Sequence, residues 1–167
     1  MKAIVAVDIN WGIGKDNQLL YHIKEDMKRF KDLTMNKVVV MGRKTFESLP
    51  DKKPLPYRVN IVMSKDTTYK ADGTIVVHSI EELNDKISIY DADDVFIIGG
   101  GKIYEEFITK CSDVYVTVVT RSFNADTFFP NLNVMDEFIL VDDEVFHATG
   151  YETVETRFLR YTNQLLK

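Results

Sequence analysis

Asp26 is a carboxylate on the wrong side of its helix. The stretch IKEDMKRFKDL, residues 23–33, reads as a helix at about 100° per residue. Ile23, Met27, Phe30 and Leu33 then fall on one side, and Lys24, Glu25, Lys28 and Asp32 on the other. Asp26 lies between Phe30 and Leu33, inside the apolar stripe. A carboxylate there is costly to bury unless hydrogen bonds compensate. Two arrangements answer this. Its head reaches solvent from a first turn where the helix dipole favours negative charge. Or it faces a cavity, where desolvation raises its pKa and makes it an acid or a hydrogen-bond anchor.

Other residues bring cations and bare backbone. Arg58 follows the proline-rich segment LPDKKPLPY (49–57) and precedes a strand pattern. It is either a surface charge or a bidentate clamp for a carboxylate, which guanidinium geometry suits. Two strand–glycine–helix turns also stand out: VVVMGRKTFESL (38–49) and DVFIIGGGKIYEEF (94–107). Free N–H groups at a helix start attract anions, and Arg43 and Lys44 add charge at the first turn. One such turn is weak evidence. Two in a small chain suggest a ligand with separated phosphates, such as NADPH with its pyrophosphate and 2′-phosphate. Neither turn matches G-x-G-x-x-G or G-x-x-x-x-G-K-[ST], which argues against a nucleoside triphosphatase. His22, His78 and His147 lack metal-ligand spacing, so no metal is expected. No nucleophile motif is present.

The elements that must position these residues follow from the hydrophobic pattern. Apolar, β-branched runs recur at 3–7, 38–41, 59–63, 74–77 and 94–98, with helical patterns at 24–34, 43–49, 79–86 and 101–109. Continuous apolar strands alternating with helices predict a largely parallel sheet covered on both faces. The last third, with runs at 113–119, 137–146 and 152–161, has no helix between strands, and HATGY (147–151) supplies a hairpin-like turn. An antiparallel pair at one edge is the expected finish. The stretch DINWGIGKDNQLLYH (8–22) is long for a connector and reads as a lid or binding loop beyond the first strand.

Bulk properties exclude other classes. The 167 residues suit one domain with a sizeable core. The net charge of -5 argues against a nucleic-acid binder. No run approaches membrane-spanning length. The single cysteine, Cys111, excludes an intrachain disulfide and reads as buried packing. Strand-like KAIVAV starts at the second residue, leaving no room for a signal peptide, so a cytoplasmic protein is expected.

Taken in order, the landmarks resemble the dihydrofolate reductase family, of the bacterial chromosomal type, over essentially the whole chain. They are AVD (6–8), IGKDN (13–17), Asp26 with Phe30 and Thr34, VMGRKTFES (40–48), PLPYRVNIVMS (54–64), IIGGGKIY (97–104), YVTVV (115–119) and DTFFP (126–130). The resemblance implies an α/β fold on a mostly parallel eight-stranded sheet, with an antiparallel C-terminal edge strand and four flanking helices. It implies a single domain over 1–167, with an adenosine-binding subdomain at roughly 38–88. The implied reaction is NADPH-dependent reduction of 7,8-dihydrofolate to tetrahydrofolate, with hydride going to C6 and a proton to N5. The implied ligands are dihydrofolate and antifolate inhibitors, with no nucleic acid and no membrane, in a monomer.

By motif match, Asp26 holds the pterin's 2-amino group and N3, and Thr117 bonds both Asp26 and the pterin. Leu20-Tyr21 replaces the family's usual Pro-Trp, and Tyr21 completes the expected catalytic set through its hydroxyl. Met27, Phe30, Leu49 and Leu55 wall the substrate, Arg58 clamps its glutamate, and Ile4 and Ile98 present carbonyls to the pterin, with Val5, Ala6 and Tyr104 beside them. For the cofactor, Ala6, Ile13 and Gly14 line the nicotinamide, and Asn17, Leu19, Ile98, Tyr104 and Thr127 are expected contacts. Gly42, Arg43, Lys44 and Thr45 form one phosphate turn, and Gly100, Gly101, Lys102 and Ile103 the other. Arg43 and Ser64 hold the 2′-phosphate, with Met63, Lys65 and His78 nearby. A cis peptide between Gly99 and Gly100 is also implied. Ala125 and Lys102 depart from the family's common glycine and arginine. The competing readings are a related pterin or pyrimidine reductase and a non-catalytic nucleotide-binding module.

Overall fold

β-branched runs build the frame, and glycines and prolines punctuate it. The computed structural model describes residues 1–166. The chain starts with β1 (Lys2–Asp8), then a hairpin of β2 (Gly12–Lys15) and β3 (Gln18–Leu19), then α1 (Lys24–Thr34). Next come β4 (Val38–Gly42), α2 (Arg43–Ser48), β5 (Val59–Met63), β6 (Ile75–Val77) and α3 (Ile80–Ile87). They are followed by β7 (Val95–Gly99), α4 (Gly101–Phe107), β8 (Asp113–Val119) and β9 (Thr127–Phe128). The chain closes with β10 (Phe138–Phe146) and β11 (Thr156–Asn163).

The main sheet has eight strands in the order β10-β11-β8-β1-β7-β4-β5-β6. The central pairings are parallel, and β11 runs antiparallel to both β8 and β10. The mostly parallel sheet with an antiparallel C-terminal strand is therefore as expected, with one refinement: β10, not the C-terminal strand, is the outermost. The pattern of exposure explains the order. β11 buries Leu159 and Tyr161, while β10 is exposed over most of its length and carries Asp142, Asp143 and Glu144. Charged residues on an edge also discourage pairing with another chain.

Successive side chains of a strand point to opposite faces. Val5, Val7, Val40 and Val116 pack with Leu83 of α3 and Phe107 of α4. Ile4, Val39, Met41 and Val62 pack on the other face, with Phe30 and Leu33 of α1 and Phe46 of α2. Cys111 is buried and burial pushes its thiol up to about 12, so it stays neutral packing.

The sheet opens at its centre. β1 pairs with β8 from Lys2↔Asp113 to Asp8↔Val119, but with β7 only at Lys2↔Phe96 and Ala3↔Ile97. The register of β7 against β4 skips Ile98, passing from Val40↔Ile97 to Met41↔Gly99. The crossovers leaving β1 and β7 go opposite ways, which makes this gap the topological switch point where α/β sheets bind ligands.

One loop is more ordered than the sequence pattern suggests. Residues 8–22 contain the β2–β3 hairpin, joined by β9 into a small second sheet. Asp16 and Asn17 both have positive φ, the two-residue turn that matches strand twist and that Asp and Asn tolerate. Asp8 anchors this unit. Its buried carboxylate accepts hydrogen bonds from the backbone N–H groups of Asn10 (2.9 Å), Gly12 (2.8 Å) and Phe123 (3.0 Å). The last hairpin differs from expectation in the other direction. Its second strand begins at Thr156 rather than 152, because Ala148, Tyr151 and Val154 pack against Tyr21 and Ile23 at the head of α1.

Gly12 sits where these loops meet. A Cβ there would lie 2.4 Å from Ala125 Cβ and 3.0 Å from Asp8 Oδ1. Gly12→Ala is expected to destabilise the fold by about 1–3 kcal/mol through overpacking, seen as a lowered thermal midpoint. The double change Gly12→Ala/Ala125→Gly should recover part of the loss.

Candidate active site

α1 lays its stripe against the sheet face beside β8 and places Asp26 near the open end of β1. The carboxyl group is half-buried. Burial raises its pKa, and the Thr117 side chain and the Arg29 guanidinium pull it back toward the charged form. The carboxyl is therefore desolvated on its helix face and not held out in solvent. Thr117 is buried on β8. Tyr21 is buried too, and its hydroxyl donates to the Val7 carbonyl at 2.8 Å, with the Thr117 carbonyl at 3.2 Å. That ties the loop before α1 to the backbone of β1 and β8, so the hydroxyl is committed to main chain. Its pKa is pushed up by burial first and by the charges of Asp26 and Asp8 next.

A cleft of about 130 Å³ runs along the parted strands. Val5, Ala6, Ile98 and Tyr104 form its floor, and Ile13, Gly14, Asn17 and Leu19 of the β2–β3 unit form its roof. Thr45, Gly100, Gly101 and Thr127 close one end. Tyr104 reaches under the gap and donates to the Ile4 carbonyl at 2.7 Å. Gln18, Ser48 and Gly99 also line the cleft and were not expected from sequence.

The two glycine turns stand face to face. The Gly99–Gly100 peptide is cis, as the resemblance implied. A Cβ on Gly100 would come within 3.1 Å of Thr45 Oγ1, and one on Gly101 within 2.9 Å of Thr127 Cγ2. A Cβ on Gly42 would meet Ile103 at 3.1 Å. These positions stay bare because neighbouring side chains occupy the space a Cβ would take. Asn17 Nδ2 donates to the Lys44 carbonyl at 3.4 Å, so the roof touches the first turn.

Farther along, Arg43 stacks over Tyr69 at 4.5 Å and pairs with Glu47 at 2.8 Å and Asp66 at 3.2 Å. The His78 ring nitrogen lies 2.8 Å from the Ser64 carbonyl, which brings β5 and β6 ends together near Met63. Lys44, Lys65 and Lys102 are exposed.

Apolar residues of α1 and of the segment after α2 form a second wall. Phe30, Leu49, Leu55 and Ile98 pack around one cluster, and Met27 is 59% exposed beside it. At the far end, Arg58 donates to Thr34 Oγ1 at 3.2 Å and to the Pro56 carbonyl at 2.7 Å, with its guanidinium 6.0 Å from the Phe30 ring centre. Among the described residues no carboxylate pairs with it. Sequence reasoning missed Asp8, Asp126 and Arg29. Asp126 accepts from the Asp16 N–H at 2.9 Å and so holds the β2–β3 turn. Its position inside DTFFP gave no sign of that partner 110 residues away.

Comparison with known proteins agrees with this geometry. A family model described as "Dihydrofolate reductase" matches residues 1–163. A dihydrofolate reductase of Staphylococcus aureus is 44% identical over 131 residues, covering 78% of this chain and 77% of that protein. One from Haemophilus influenzae is 37% identical over 161 residues, covering 96% and 97%. Among solved structures, the dihydrofolate reductase of Enterococcus faecalis complexed with NADP(H) and RAB-propyl matches with a TM-score of 0.87 at 32% identity, covering 98% of this chain and 95% of that one.

The raised pKa of Asp26 has a consequence for stability. Between the unfolded and folded pKa values the native state holds more protons, so stability falls as pH rises through this window. Asp26→Asn removes that loss. The variant is expected to melt a few degrees above wild type near neutral pH and together with it in acid, where Asp26 is protonated in both states. Thermal melts across pH check this; a variant less stable than wild type at neutral pH contradicts it.

Proposed function

The chain belongs to the dihydrofolate reductase family, and from that premise we propose that it reduces 7,8-dihydrofolate to 5,6,7,8-tetrahydrofolate with NADPH. The observation that carries this reading is the alignment of three features along one path. Asp26 is desolvated on α1, Phe30 one turn along the same helix packs with Leu49 and Leu55, and Arg58, which no carboxylate pairs with among the described residues, bonds Thr34 at the helix's far end. Those features match a flat polar ring, an aromatic linker and a terminal carboxylate in that order.

Asp26, in its charged form, accepts hydrogen bonds from the pterin's 2-amino group and N3, and Thr117 fixes the carboxylate's orientation. The carbonyls of Ile4 and Ile98 flank the ring edge. Arg58 offers its guanidinium to the glutamate α-carboxylate, and such charged pairs contribute about 1.5–3 kcal/mol. The residues on the other side of the gap fit NADPH. Ala6, Ile13 and Gly14 enclose a planar ring, the Gly100–Gly101 backbone and Thr45 face a pyrophosphate, and Arg43 with Ser64, Lys65 and His78 receives the 2′-phosphate. Bound there, NADPH supplies the hydride for C6.

The chain's part in the reaction is to hold the two rings together, exclude bulk water and bring one proton to N5. Asp26 has no direct path to N5 once it holds the 2-amino group. A water admitted beneath the β2–β3 unit is the donor, and Asp26's charge state sets how readily N5 takes the proton. Tyr21 acts by anchoring the loop rather than by donating. The segment 38–88 serves as the adenosine-binding part of a single domain, and the protein acts as a cytoplasmic monomer. Among the described residues no helix is long and apolar enough to cross a membrane.

Purified protein is expected to oxidise NADPH only when dihydrofolate is present. Arg58→Ala should raise the KM for dihydrofolate by about 10- to 100-fold, from the lost charged hydrogen bonds, with kcat little changed. No NADPH oxidation contradicts the activity, and an unchanged KM contradicts the clamp.

A further inference from the structure

Arg29 is half-buried, charged and without an acidic partner among the described residues. It follows Asp26 by three on α1, which makes the two neighbours on the helix surface. Its guanidinium lies 4.3 Å from the Phe158 ring centre and 5.7 Å from that of Tyr115, and it donates a long hydrogen bond of 3.5 Å to the Val116 carbonyl. Val116 is the residue next to Thr117. Arg29 and Asp26 therefore engage adjacent positions of the same strand, one behind the other. Arg43 and Arg157, by contrast, take carboxylates.

We propose that Arg29 is a positioning residue for the reductase reaction, acting as a fixed positive charge behind Asp26 that holds its carboxylate ionised for the pterin. This rests on the reading of Asp26 given above. The planar guanidinium suits the post because rings on β8 and β11 hold it by its face, leaving its charge uncompensated. The balance of charge around the pair supports it. Asp26 is faced by Tyr21 from the preceding loop and Tyr104 from α4, both pushed toward the neutral form by burial. Arg29 is faced by Tyr115 of β8 and by Asp142 and Glu144 of the edge strand β10, neither within ion-pair distance. Glu25, Lys28 and Asp32 line the same groove from α1. Burial lowers the pKa of Arg29, and Asp26 is the first among the charges that restore it.

The sign follows from Coulomb attraction. Removing the positive charge makes Asp26 hold its proton to higher pH. Because the ionised carboxylate is the form that holds the pterin, dihydrofolate binding then weakens at the acid end of the range. The test uses Arg29→Gln and Arg29→Met, which remove the charge, and Arg29→Lys, which keeps it without the planar face. Carbon-detected NMR titration of the Asp26 side-chain carboxyl reads the effect without turnover, so it fails separately from the assigned activity. Both neutral variants are expected to titrate above wild type and to move the acid limb of kcat/KM for dihydrofolate to higher pH, giving a several-fold lower relative kcat/KM at its low-pH end. Arg29→Lys should stay near wild type in both. Wild-type titration of Asp26 in the neutral variants, or an equal shift in Arg29→Lys, overturns the proposal.

Discussion

Parallel strands lying side by side must satisfy their backbone groups with each other or find other partners. β1 and β7 keep each other only at Lys2↔Phe96 and Ala3↔Ile97. Beyond that point β1 is supported on one side by β8, and the Tyr104 hydroxyl takes the Ile4 carbonyl. The break at Ile98 and the glycines that follow turn β7 away. Hence the cleft is a split in the sheet, lined by backbone, and not a hollow between separate surface loops. A ring inserted there can meet main-chain donors and acceptors directly, which is why small residues and glycines crowd its edges.

Other features answer to that split. α1 packs Phe30 and Leu33 of its apolar stripe on the sheet, and Asp26 on the same stripe is desolvated beside Thr117 of β8. The desolvation of the carboxylate is a stability cost carried at a functional position. The two glycine turns must come within contact of each other, because they leave β4 and β7, which are neighbours in the sheet. The β2–β3 unit must roof it, and Asp8 and Asp126 hold that roof through backbone N–H groups on segments far apart in sequence.

Much of this was legible in the chain. The β-branched runs gave the strands to within a residue or two, and the position of Asp26 on the stripe marked it as a carboxylate whose burial needs compensation. The glycine turns were visible as turns, while their opposition was not, since spacing says nothing about distance across a sheet. The cis peptide came from family likeness alone. The β2–β3 hairpin was hidden because its strands are short and its turn, Asp16-Asn17, lacks glycine. The late start of β11 was hidden because Tyr151 and Val154 are apolar and strand-like, yet pack on Tyr21 and Ile23 instead. Arg29 looked like one more basic residue on a charged helix. Its meaning depends on the rings of Tyr115 and Phe158, which arrive from other strands.

The central claim is that the gap between β1 and β7 is where both ligands bind. Hydrogen–deuterium exchange followed by mass spectrometry, with NADPH and an antifolate added separately and together, tests it most directly. NADPH is expected to slow exchange at residues 42–46 and 99–104, and the antifolate in segments 4–6 and 26–34. Together they should protect the β2–β3 unit more than either does alone. Protection confined to the groove between α1 and β10, or no change in segments 4–6 and 99–104, would contradict the account.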